Sequence, residues 1–116
     1  MIKGNKLDKF IEMMSNRSNQ LSLSYSDFLP LEEIIDYKSI MYEEGLSNVV
    51  LSDICRTRTK RIVMSINVNS KTSSIQIKKI IEFIRSQFEN DIDILLGSSL
   101  DETTEKITIN LVLYEN

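Results

Sequence analysis

Residues 61–69, RIVMSINVN, alternate apolar and polar side chains, and within a few residues that period of two gives way to a period near 3.6. The alternation places Ile62, Met64, Ile66 and Val68 on one face of a strand. Ser73 and Gln76 then stand at capping-box spacing ahead of an apolar run. Its members, Ile77, Ile80, Ile81, Ile84 and Phe88, form one stripe on a helix, with Lys78, Lys79, Glu82 and Arg85 on the outer face. The period returns to two in DIDILLG, where Ile92, Ile94 and Leu96 share a face. It does so again in ITINLVLYEN, where Ile107, Ile109, Leu111 and Leu113 point inward, after a polar turn at 100–106. Strands with one apolar face each need a cover. The succession therefore predicts an α+β fold, an open mixed four-stranded sheet covered by helices on one face.

Upstream, Leu7, Phe10, Ile11 and Met14 recur at helical spacing within 5–15, with Asn5 as N-cap. Residues 15–27, SNRSNQLSLSYSD, read as a linker or loop, or as a short strand where LSLSY alternates. Pro30 stands where a helix would begin, Ile34, Ile35, Lys38 and Met41 continue at helical spacing, and Gly45 is a natural stop. A helix is therefore expected within 29–45. Residues 47–54, SNVVLSDI, are expected as a strand, and 55–61, CRTRTKR, as a basic turn or hairpin. On this reading 1–30 form an N-terminal helix and a Ser/Asn-rich segment, and 31–116 form the α+β domain.

Composition excludes several chemistries. The chain has no histidine and one cysteine, Cys55, so it offers no histidine base, no histidine metal ligand and no intramolecular disulfide. Its glycines are Gly4, Gly45 and Gly97, from which no glycine-rich phosphate cradle can be written. No cofactor is expected, and no enzymatic activity of the chain alone. A net charge of −3 gives no bulk attraction to nucleic acid or anionic membrane. No apolar run approaches the roughly 20 residues of a membrane span, and MIKGNKLDKF lacks a signal peptide's apolar stretch. The expected location is cytoplasmic. Met13, Met14, Met41 and Met64 are expected as core filler.

Three segments in this order resemble the C-terminal domain of the FtsZ/tubulin family. DYKSIM, residues 36–41, looks like the family's DVKTIM at the start of a helix. RIVMSINVNSKTSSIQIKKIIEFI looks like its strand, turn and helix, and IDILLGSSLDETTEKITINLVL looks like its terminal hairpin. The resemblance covers about residues 31–114. It implies the family's α+β domain without the GTP-binding domain and its GGGTGTG signature. The helix that the family places between the first two strands has only CRTRTK in its place. Residues 1–30 lie outside the resemblance, although the 5–15 helix resembles the end of the family's central helix.

In the family, the loop before DVKTIM carries N-x-D-x-x-D and inserts into the nucleotide pocket of the next subunit. There its carboxylates orient the attacking water. By that resemblance Asp36 stands at the second aspartate, Glu33 at the first, and Leu31 in place of the asparagine. Glutamate keeps the charge but moves its oxygen by about 1 Å, enough to cost on the order of a hundredfold in rate. The resemblance therefore implies partner binding through Glu33, Asp36 and Lys38, with a residual water-positioning role of Glu33 and Asp36 in a partner's site as the alternative. The plainer reading of Glu33 and Asp36 is a first helical turn whose carboxylates complement the macrodipole.

Arg56, Arg58, Lys60 and Arg61 form a basic strip, either a solvated edge that discourages strand pairing or a phosphate- or nucleic-acid-binding surface. No aromatic residue interleaves the strip, which disfavours base stacking. Cys55 is either a reactive thiol activated by those cations or an ordinary core or edge cysteine. The leading expectation is an interaction module that docks on a tubulin-like, FtsZ-type filament subunit or self-assembles. The rivals are a small-molecule or dimerisation domain pairing through the sheet's second face, and a chorismate-mutase-like enzyme with an inter-subunit, arginine-lined site. For the second face the markers are Val63, Ser65, Asn67, Lys106 and Asn110, which a monomer would leave in solvent.

Overall fold

The computed structural model describes residues 5–15, 23, 25–42, 52–100, 102 and 107–115. Helix α1 (Asn5–Ser15) is followed by 3₁₀ turns at Tyr25–Phe28 and Leu31–Glu33, then strand β1 (Ile34–Tyr42). Helix α2 (Asp53–Arg58), β2 (Arg61–Val68), α3 (Ser74–Ser86), β3 (Asp93–Leu100) and β4 (Ile107–Tyr114) complete the order. The four strands make one open mixed sheet in the order β1-β4-β2-β3. β4 is antiparallel to both β1 and β2, while β2 and β3 are parallel and joined through α3. The starts of β1, β2 and β3 and the end of β4 therefore meet at one end of the sheet.

The elements expected from 61 onward form as their periodicity dictates. Ser73 caps α3: its hydroxyl accepts the Gln76 N–H at 3.2 Å, and the Gln76 side chain accepts the Ser73 N–H at 3.0 Å. Ile80 and Ile84 are fully buried, and Phe88, Ile77 and Ile81 pack in the same cluster. Facing them are Ile62, Met64, Ile66 and Val68 of β2 and Ile107, Ile109, Leu111 and Leu113 of β4. Ile92 is buried there too, and Ile94 and Leu96 of β3 are half-buried against it.

Several expectations are overturned. The helix expected within 29–45 is a strand. Pro30 opens only the 3₁₀ turn, with Glu33 N–H donating to Pro30 O at 3.3 Å, and Ile34–Tyr42 are extended. The spacing of Ile34, Ile35, Lys38 and Met41 fits a helix, but β-branched Ile34, Ile35 and Ile40 and aromatic Tyr37 favour a strand. Pairing decides: β4 lies inside the sheet and needs a neighbour on each side, and β1 supplies one. The register slips by one residue between Ile34 and Asp36, a bulge at Ile35.

The basic turn is also a helix. Ser52 is the N-cap of α2, accepting the Cys55 N–H at 3.3 Å, and Asp53 complements the first turn. Part of the strand expected over 47–54 lies outside the described residues, as does Gly45; Asp53 and Ile54 belong to α2.

The sheet's second face is not left to solvent. Leu7, Ile11 and Met14 of α1 join Leu23, Phe28, Ile34, Val63, Val112 and Tyr114 in a second buried cluster. The Phe10 and Tyr37 rings meet on its border at a 46° tilt, centroids 4.9 Å apart. Ser65, Asn67, Ser99 and Asn110 share this face and are also buried. Asn110 Nδ2 donates to Ser65 Oγ at 3.3 Å, and Ser99 Oγ donates to Asn67 Oδ1. Val63, Ser65, Asn67 and Asn110 are thus covered within a single chain, and Lys106 lies outside the described residues. Of the four methionines expected as core filler, Met14 and Met64 are core, while Met13 and Met41 are exposed.

Candidate functional site

Of the residues singled out for binding, Glu33, Asp36, Arg56, Arg58, Lys60 and Arg61 lie at the end of the sheet where β1, β2 and β3 begin, while Lys38 lies midway along β1. Glu33 closes the 3₁₀ turn just before β1, and its carbonyl accepts the Glu115 N–H at 3.0 Å, which ties the end of β4 to the start of β1. Asp36 lies just past the bulge. Its carboxylate accepts the Tyr37 N–H at 2.8 Å and faces the Cys55 thiol, with Sγ 3.9 Å from Oδ2. Cys55 is buried in the main core cluster, so it sits as a core residue. Lys38 follows on β1, half-buried, opposite Leu111.

The basic strip winds through α2 into β2, and its guanidinium groups have local partners. Arg56 Nε donates to Gln87 O at 3.3 Å, linking α2 to the end of α3. Arg58 forms an ion pair with Glu115. Arg61 lies over the Tyr114 ring, 4.1 Å from its centroid, and Nη2 donates to Leu29 O at 3.4 Å. Lys60 is exposed, and its backbone joins β4 to β3: its N–H donates to Tyr114 O at 2.9 Å and its carbonyl accepts Asp93 N–H at 3.0 Å. Segments far apart in sequence thus converge, and acidic and basic candidates share one rim. Glu33 and Arg58 both connect to Glu115.

Tyr114 anchors this end. It is fully buried, and its hydroxyl donates to Phe28 O at 2.7 Å. Burial pushes its phenol up to about 12; the Arg61 cation lowers it in part, and Asp27 raises it. Sequence reasoning missed Tyr114, although an aromatic residue at the end of an otherwise aliphatic strand was a signal. It also missed Leu29 and Ile54, aliphatic side chains that are 45% and 55% exposed beside this rim. No group of three or more cysteine and carboxylate side chains suited to a metal ion occurs among the described residues.

No family model matches the sequence, and no curated protein is similar to it. Among solved structures the chain is similar to an FtsZ dimer, empty, from M. jannaschii, with a TM-score of 0.62 and 11% identity. That likeness covers 97% of this chain and 40% of the FtsZ chain, so the chain spans less than half that protein's length. It is an agreement of fold. A point variant of the same FtsZ matches over 50% of this chain and 19% of that one, at 13% identity and TM-score 0.44. The E. coli hydrogenase maturation protein HypE matches over 93% of this chain and 41% of its own, at 12% identity and TM-score 0.39. Among the described residues no helix is long and apolar enough to cross a membrane.

Proposed function

We propose that this chain is a non-enzymatic, cytoplasmic interaction module that docks on a tubulin-like filament subunit through the end of the sheet where β1 begins. The observation that carries the reading is the fold likeness to FtsZ over 97% of this chain, α1 included. The rim supports it. Glu33 and Asp36 stand near the start of β1, and the segments bonded to this end carry exposed apolar side chains, Leu29 where its carbonyl meets Arg61 and Ile54 next to Cys55, a combination of charge and apolar surface that suits a protein partner better than solvent alone. A module with one docking end and no nucleotide site would occupy a filament face without extending it, and so modulate polymerisation. Asp36 is engaged by a backbone N–H and a thiol, which fits docking rather than water activation.

The test is co-sedimentation with the host's own FtsZ-type filaments, using wild type and the double variant Glu33→Gln, Asp36→Asn. Wild type should pellet with filaments and the variant should pellet less, with unchanged circular dichroism. Truncating a desolvated charge pair costs about 2–5 kcal/mol of binding. Equal pelleting would reject this docking face. No pelleting of wild type would reject the filament partner and turn the reading to self-assembly.

A further inference from the structure

We draw no further inference here: the strongest candidate, the cluster of buried polar side chains Ser65, Asn67, Ser99 and Asn110 on the sheet's second face, holds an unpartnered atom in Asn110 Oδ1, but that atom is closed off from solvent and nothing among the described residues shows what ligand would reach it.

Discussion

Tyr114→Phe tests how the N-terminal segment is held to the sheet. The substitution removes one oxygen and keeps the ring, so the contact with the Arg61 guanidinium and the packing against Phe28, Val63 and Val112 persist. What is lost is the 2.7 Å bond to Phe28 O, across 86 residues of sequence. The carbonyl then loses that donor in a buried setting, at a cost of about 1–3 kcal/mol. At roughly 4 °C per kcal/mol for a domain of this size, Tm should fall by about 4–12 °C. Thermal and urea melts followed by circular dichroism measure this, and the urea m value should not change, because the packing is unaltered. A double-mutant cycle with Arg61→Ala tests whether the hydroxyl bond is independent of the ring contact: the two losses should nearly add, since phenylalanine still offers its face to the cation. A Tm within about 1 °C of wild type would refute the claim that this hydroxyl bond holds the segment in place.

Three further outcomes are expected. Tyrosinate absorbance should show one phenol titrating near 12. Folded Tyr114 keeps its proton where the unfolded chain, at about 10, has lost it. Its contribution to stability is therefore complete below pH 10 and lost as pH rises towards 12; alkaline melts that show no loss over that window would contradict this. Ile80→Asp should abolish the cooperative melt, because it puts a charge at a fully buried point of the α3 stripe; a wild-type transition would mean α3 is not packed on the sheet. Labelled GTP should not be retained in equilibrium dialysis, since Gly97 lies within β3 and the three glycines of the sequence are spaced too far apart to write a phosphate-cradling loop; micromolar binding would refute it.

Local signals made α3 and strands β2, β3 and β4 legible. A capping box at Ser73 and Gln76 and alternation in β2 and β4 depend on neighbours in sequence, and the structure keeps them. β1 was not legible, because Ile34, Ile35, Lys38 and Met41 satisfy a helix as well as a strand. Only the presence of β4, some seventy residues later, breaks the tie. α2 carried a readable cap, Ser52 followed by Asp53, but its six residues are too few for a periodic pattern. Val63 was visible as an apolar side chain on the face that a monomer was expected to leave in solvent, and with Val112 it packs in the cluster that α1 joins. The site was half legible. Glu33, Asp36, Arg56, Arg58, Lys60 and Arg61 do share one rim, but the Arg58–Glu115 pair and the Arg61–Leu29 bond that redistribute its charge are long-range contacts without sequence periodicity.

The bulge at Ile35 and the Asp36 carboxylate on the Tyr37 N–H change what the outer edge of β1 can do. β1 is last in the sheet, and such a strand is a template for the next chain. The bulge breaks the regular spacing an incoming strand would need, and Asp36 already holds a backbone donor that such a strand would seek. Lys38, two residues on, adds a charge that an added strand would have to accommodate. Growth of the sheet from chain to chain, the route to irregular fibres, is thereby discouraged. Asn at position 36 would still present an acceptor oxygen to that N–H, so the docking variant removes a charge and leaves this protection standing.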